Sequence, residues 1–148
     1  MAHHPAASLE EIAERFFSAV DALDTNELAA LITDDGQGVD QVGRSWRRGR
    51  SDVAAYFNAV KATFDDVRSE LRDVQASDWG ETGVVTCVLD QSYTVSGREE
   101  RVTAPTSIIC RRVDSEWRIA LFHSVPIAER GDRARRSSSG EAHRTATG

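Results

Sequence analysis

The sequence predicts an α+β protein, with helices first and an antiparallel sheet after them. Up to about residue 64 the apolar residues recur at helical spacing. From Val67 onward they alternate or run in β-branched stretches. The connections between those later stretches are short turn signals, which make sequential strands antiparallel neighbours.

Ser8 and Glu11 form a capping-box pattern, and Leu9, Ile12, Phe16, Val20 and Leu23 follow on one face. They predict a first helix to about residue 23. Asp24 and Glu27 repeat the start signal, and Leu28, Leu31 and Ile32 give a short second helix ended by Asp34-Asp35-Gly36. Between Gly36 and Gly49 the pattern is least regular. A short strand is expected near Gln37–Val42, then a turn at Gly43-Arg44 and a return through Ser45-Trp46. Ser51 is expected to cap a third helix, with Val53, Tyr56, Phe57, Val60 and Phe64 on its apolar stripe.

Four strands follow: Val67–Ala76, Val84–Val95, Arg101–Val113 and Trp117–His123. Placing hairpin loops at Gly97-Arg98 and Asp114-Ser115 fixes a register. It sets Tyr93 against Val102, Cys87 against Ile108, Cys110 against Ile119 and Thr106 against His123. Strict alternation then puts Val85, Cys87, Leu89, Ile108, Cys110, Trp117, Ile119 and Leu121 on the inner face. Gln91, Tyr93, Thr106 and His123 cluster at one end of that face. Outward come Val84, Thr86, Val88, Asp90, Thr103, Ile109 and Phe122, a set too apolar for a fully wetted surface and suited to a dimer interface.

Composition narrows the function classes. A chain of 148 residues with 40% hydrophobic content can bury one real core, and its net charge of -6 supplies no basic surface for nucleic acid. No apolar run approaches the ~18–20 residues of a membrane span, and the start of the chain lacks signal-peptide features. A cytoplasmic location is therefore the default expectation. Two cysteines make neither a disulfide framework nor a zinc site, and three of the four histidines lie near the ends. No metal and no cofactor is expected. Residues 1–7 are expected to be a flexible leader and 128–148, rich in Arg and Ser, a disordered tail.

Helices, a Gly43 to Gly49-Arg50 stretch, a further helix, four strands and a Trp117-Arg118-Ile119 ending in His123 together resemble the nuclear transport factor 2-like superfamily. Within it the chain is similar to SnoaL-like domains of the SgcJ/EcaC type, over roughly residues 8–127. The resemblance implies a cone-shaped α+β barrel, a curved sheet wrapping the N-terminal helices around a pocket. It also implies homodimers through the sheet's outer face. Members include polyketide cyclases, ketosteroid isomerases and dehydratases, and the SgcJ type is associated with secondary-metabolite pathways. At Gly36 and Gly38 this chain departs from the apolar strand residues usual there.

Several SnoaL-like enzymes move a proton next to a carbonyl, which needs a base and a hydrogen-bond donor for the developing oxyanion. His123 and Asp40 are the candidate bases. Tyr93, Tyr56 and the Trp46 indole are candidate donors, and Gln91 and Thr106 either touch a ligand or satisfy each other. Two functions follow. The chain is an enzyme or accessory factor handling a small, largely apolar, polyketide-like ligand, or it is a non-catalytic binding or dimerisation module.

Overall fold

The computed structural model describes residues 6–127. The tail expected over 128–148, and all but two residues of the leader expected over 1–7, lie outside the described residues. Within them the order is α1 (Leu9–Ala22), α2 (Thr25–Leu31), β1 (Ile32–Asp40), β2 (Arg47–Arg48), α3 (Arg50–Thr63), β3 (Phe64–Asp78), β4 (Thr82–Val95), β5 (Arg98–Val113) and β6 (Glu116–Ser124). No helix among the described residues is long and apolar enough to cross a membrane.

The helix starts follow the sequence signals in two cases of three. The Ser8 hydroxyl accepts from the Glu11 amide and the Asp24 carboxylate from the Glu27 amide. Ser51 does not cap α3. The N-cap is Gly49, whose φ of 87° suits glycine, and Asp52 instead accepts from the Arg48 amide.

Six strands form one curved sheet in the order β2-β1-β6-β5-β4-β3. All neighbours are antiparallel except β1 and β6, which run parallel. A wholly antiparallel sheet was expected. The parallel pair arises because β1 starts at Ile32, directly after α2, and docks beside the last strand rather than beside the meander's first. The helices lie in the sheet's concave side. Phe16 and Phe17 meet Phe122 there in an aromatic cluster that Phe57 joins through Phe16, with Phe16 and Phe122 centroids 5.0 Å apart. Leu28, Leu31, Val85, Leu89, Ile108 and Ile119 complete the core.

Both hairpin registers differ from the expected ones. The β4–β5 loop is Ser96-Gly97, with φ of 51° and 77°, so Tyr93 faces Glu100 and Cys87 faces Thr106. The shift is an even number of residues, so β4 and β5 keep their predicted faces. The β5–β6 turn at Asp114-Ser115 is as expected, and Cys110 does pair with Ile119. Beyond that pair a bulge at Ala120 changes the parity, so that Ile109 meets Leu121 and Ile108 meets Phe122. Phe122 and Ser124 therefore turn inward while Leu121 and His123 turn out. This overturns the inner-face placement of His123 and Leu121 and the outer-face placement of Phe122.

The glycines of β1 fit this arrangement. A Cβ on Gly36 would lie 2.3 Å from Cγ2 of Ile32, and one on Gly38 would press on the Phe122 ring at 3.3 Å. Gly38 pairs with Phe122 directly, so the glycine makes room for the ring that fills the cone.

Candidate functional site

The end of β1 brings Asp40 into the cone, next to the turn that leads to β2. Its Oδ1 accepts from the Val42 and Gly43 amides at 3.0 and 2.8 Å, an Asx-type turn that fixes the carboxylate. From α3 the Tyr56 hydroxyl reaches across and donates to Asp40, lying 2.6 Å from each carboxylate oxygen. Burial, and then the neighbouring Asp40 charge, push the Tyr56 phenol well above its ordinary pKa. It is thus a fixed donor at any physiological pH. Oδ1 takes both backbone amides, and the single Tyr56 proton is shared between the two oxygens, which leaves Oδ2 room for one more partner.

Two cavities meet at Asp40, Phe57 and Phe122. The first, of ≈ 20 Å³, is walled by Phe16, Ile32, Val53 and Ile119 and reaches Tyr56 and Arg47. The second, of ≈ 40 Å³, runs between Phe17, Val67 and Leu89 towards Gln41, Gln91, Tyr93 and Ser124. A buried water needs about 10–15 Å³ on a comparable measure, so each holds a few waters at most. The aromatic cluster divides what would be one pocket.

The sequence-predicted residues separate into groups. Asp40 and Tyr56 form a contact pair, and Gln91 and Tyr93 line the second cavity. Tyr93 stacks on Phe64 at 4.9 Å, and its phenol is raised by burial, offset in part by a hydrogen bond with Gln41. Gln91 donates to the Ser69 hydroxyl, which in turn donates to Asp21 of α1. Burial raises the Asp21 carboxyl although Ser69 bonds oppose it. Thr106 does not meet Gln91; it shares a 2.8 Å hydrogen bond with the buried Ser124 hydroxyl. Trp46 and His123 sit together on the outer side, rings 6.2 Å apart, both exposed and outside both cavities. The bulge at Ala120 is the reason His123 cannot reach Asp40.

Arg47 and Gln41 were not anticipated. Gln41 follows Asp40 in the chain and Arg47 opens β2, and both hold a buried side-chain atom, Arg47 Nε and Gln41 Oε1, with no hydrogen-bond partner among the described residues. No local signal sets them apart, because the segment from Asp40 to Arg48 is flanked by equally polar stretches over 33–37 and 50–52. No cluster of three or more His, Cys, Asp or Glu suited to a metal occurs among the described residues. Cys87 and Cys110 are free and buried, the Cys110 thiol pushed by burial up to about 12.

Helices laid into a curved sheet are the fold this chain shares with solved structures described as NTF2-like. Residues 9–128 match the SnoaL-like domain model, and the chain belongs to that family. Among solved structures it is similar to a candidate dehydratase of the NTF2-like family from Streptomyces avermitilis, at 18% identity and a TM-score of 0.76, covering 82% of this chain and 95% of that one. A ketosteroid isomerase-like protein from Erwinia carotovora atroseptica gives 20% identity and 0.70, over 82% and 95%. An NTF2-like protein with a cystatin-like fold from Novosphingobium aromaticivorans gives 23% and 0.67, over 84% and 83%. No curated protein matches the chain.

Proposed function

We propose that the chain binds a small, largely apolar carbonyl compound in the cone, and that Asp40 moves a proton at the carbon beside that carbonyl. One observation carries the reading: a fixed carboxylate with one open oxygen, held by a phenol, at the junction of two apolar cavities. Oδ2 is the proton acceptor, Tyr56 holds the carboxylate in place, and the phenylalanine wall excludes water. The names of the neighbouring structures, a dehydratase and an isomerase-like protein, support this class of chemistry. In its finer form the ligand is polyketide-derived and the chain an enzyme or accessory factor of secondary metabolism.

The small cavities favour a second reading, a non-catalytic binding or dimerisation module. Ligand sites commonly span about 300–1,000 Å³, so a polyketide-sized guest requires Phe57 or Phe122 to move aside. Exchange of the α-protons of cyclopentanone in D2O, followed by NMR, separates the two. The first reading expects exchange above the buffer rate, reduced on the order of 10²-fold or more by Asp40→Asn. Saturable binding with no exchange above buffer supports the second.

We also infer a homodimer through the outer sheet face. Val84, Val88, Ile109 and Leu121 lie there half-buried, on paired positions of β4, β5 and β6. Leu121 replaces Phe122 in the expected set.

A further inference from the structure

Resting on the reading of Asp40 as base, we propose that Arg47 is the oxyanion-stabilising residue of the same site, and that the substrate class is therefore an enolisable ketone or aldehyde that enters neutral. Arg47 comes from β2 and lines the first cavity together with Asp40 and Tyr56. Its guanidinium carbon lies 5.2 Å from the centre of the Tyr56 ring. Among the described residues it forms no ion pair and its Nε–H, though buried, has no acceptor.

An unsatisfied buried donor is costly to a fold and is retained where a ligand completes it. Tyr56 cannot serve as the oxyanion donor while its one proton is committed to Asp40. Gln37 also lines the cavity, with its carbonyl tied to Arg48, and Arg47 is the charged donor left over.

The charges fit this division. In the resting site a carboxylate and a guanidinium share one apolar cavity, so a neutral ligand enters without adding charge. When the α C–H bond breaks, its proton goes to Asp40 Oδ2 and the bonding pair moves onto the carbonyl oxygen as an enolate. Negative charge passes from the carboxylate to the ligand oxygen, and Arg47 stays as its counter-ion. Returning the proton to carbon restores the start, so no further reactant is needed. Arg47 gains most when the enolate forms, which is when a donor in a dry cavity accelerates a reaction.

The probe is the enolate of cyclohexane-1,3-dione, a compact vinylogous carboxylate that is ionised at neutral pH, titrated into the full chain by calorimetry. Asp40→Asn imitates the protonated carboxyl and removes its repulsion. That variant is expected to bind the anion at least tenfold more tightly than Asp40→Asn with Arg47→Met, while neutral cyclopentanone binds both alike. Arg47→Lys in the same background is expected to fall between them, since it keeps the charge and moves the donor. Adding Arg47→Met to Asp40→Asn is expected to lower the melting temperature no further, because it removes an unsatisfied donor where no carboxylate is left to neutralise. Equal anion affinity with and without Arg47, no anion binding by Asp40→Asn, or a marked further melting loss on adding Arg47→Met to Asp40→Asn overturns the proposal. Cyclopentanone exchange that survives Asp40→Asn counts instead against Asp40 as base, and leaves the anion comparison standing.

Discussion

At the scale of single residues, the Asp40–Tyr56 contact ties the site to the pH response of the whole fold. The phenol holds its proton in the folded chain beyond its ordinary range because ionising it would bury a second charge against the carboxylate. Below a phenol's ordinary pKa of about 10 folded and unfolded chains are both protonated, and the pair contributes fully. Above it the unfolded chain releases the proton while the folded chain keeps it, so stability falls as pH rises. Thermal melts are expected to show an alkaline loss that Tyr56→Phe reduces, and the phenolate absorbance of Tyr56 should appear only with unfolding. A Tyr56 phenolate formed in the intact fold near pH 10 would break this account. At neutral pH Tyr56→Phe should cost about 1.5–3 kcal/mol, the range for a hydrogen bond to a charged group. Asp40 and Tyr56 were both legible as candidates from residue type and place, but their contact joins positions 16 apart across a loop and a helix. Nothing in the spacing alone pairs them. Arg47 was not legible at all, because the burial of an unsatisfied atom depends on the fold and has no signature in a sequence.

At the scale of elements, the bulge at Ala120 decides which side chains enter the cone. Strict alternation along β6 would bury Trp117, Ile119, Leu121 and His123. The chain instead buries Trp117, Ile119, Phe122 and Ser124. The larger apolar group is gained by the core, the charged-capable imidazole goes to solvent, and Ser124 finds the Thr106 hydroxyl. Phe122→Ala is expected to destabilise by about 3–5 kcal/mol through the cavity it leaves among Phe16, Phe17 and Phe57. Leu121→Ala should cost the monomer fold far less, and chemical denaturation of both variants reads the difference. The reverse ranking would restore the unbulged register. The helices, the four long strands and the Asp114-Ser115 turn were visible from periodicity and turn residues, whereas the β4–β5 loop lies one residue before the expected Gly97-Arg98. The bulge was not, because one extra residue leaves composition and turn signals unchanged while it inverts every face beyond it. The extent of β1 was hidden for a related reason. Asp34, Asp35, Gly36 and Gly38 read as a helix stop and a broken strand, yet the glycines are what let the strand pass under Ile32 and Phe122.

At the scale of the whole molecule, the outward turn of Leu121 strengthens the case for a partner on the sheet's convex side. Leu121 pairs with Ile109, which pairs with Val84 on the next strand, giving three aliphatic side chains in a row across β6, β5 and β4. Val88 extends the row along β4, opposite Pro105. Charged groups border it, with Arg72 of β3 paired to Asp90 on one side and Arg111 reaching Asp35 on the other. An apolar centre with a polar rim is the usual anatomy of a protein interface, and a second copy is the partner for which a self-complementary sheet face is suited. The cone opens on the opposite side of the sheet, so pairing through this face leaves Asp40 and both cavities unobstructed. Light scattering is expected to return about twice the 16.3 kDa chain mass. Val88→Arg, which sets a second cation opposite Arg72 at the border of the apolar row without touching the core, should return the monomer mass with little change in cyclopentanone binding. A parent chain that stays at the single-chain mass at high concentration, or a Val88→Arg variant that remains a dimer, would place the interface elsewhere or remove it.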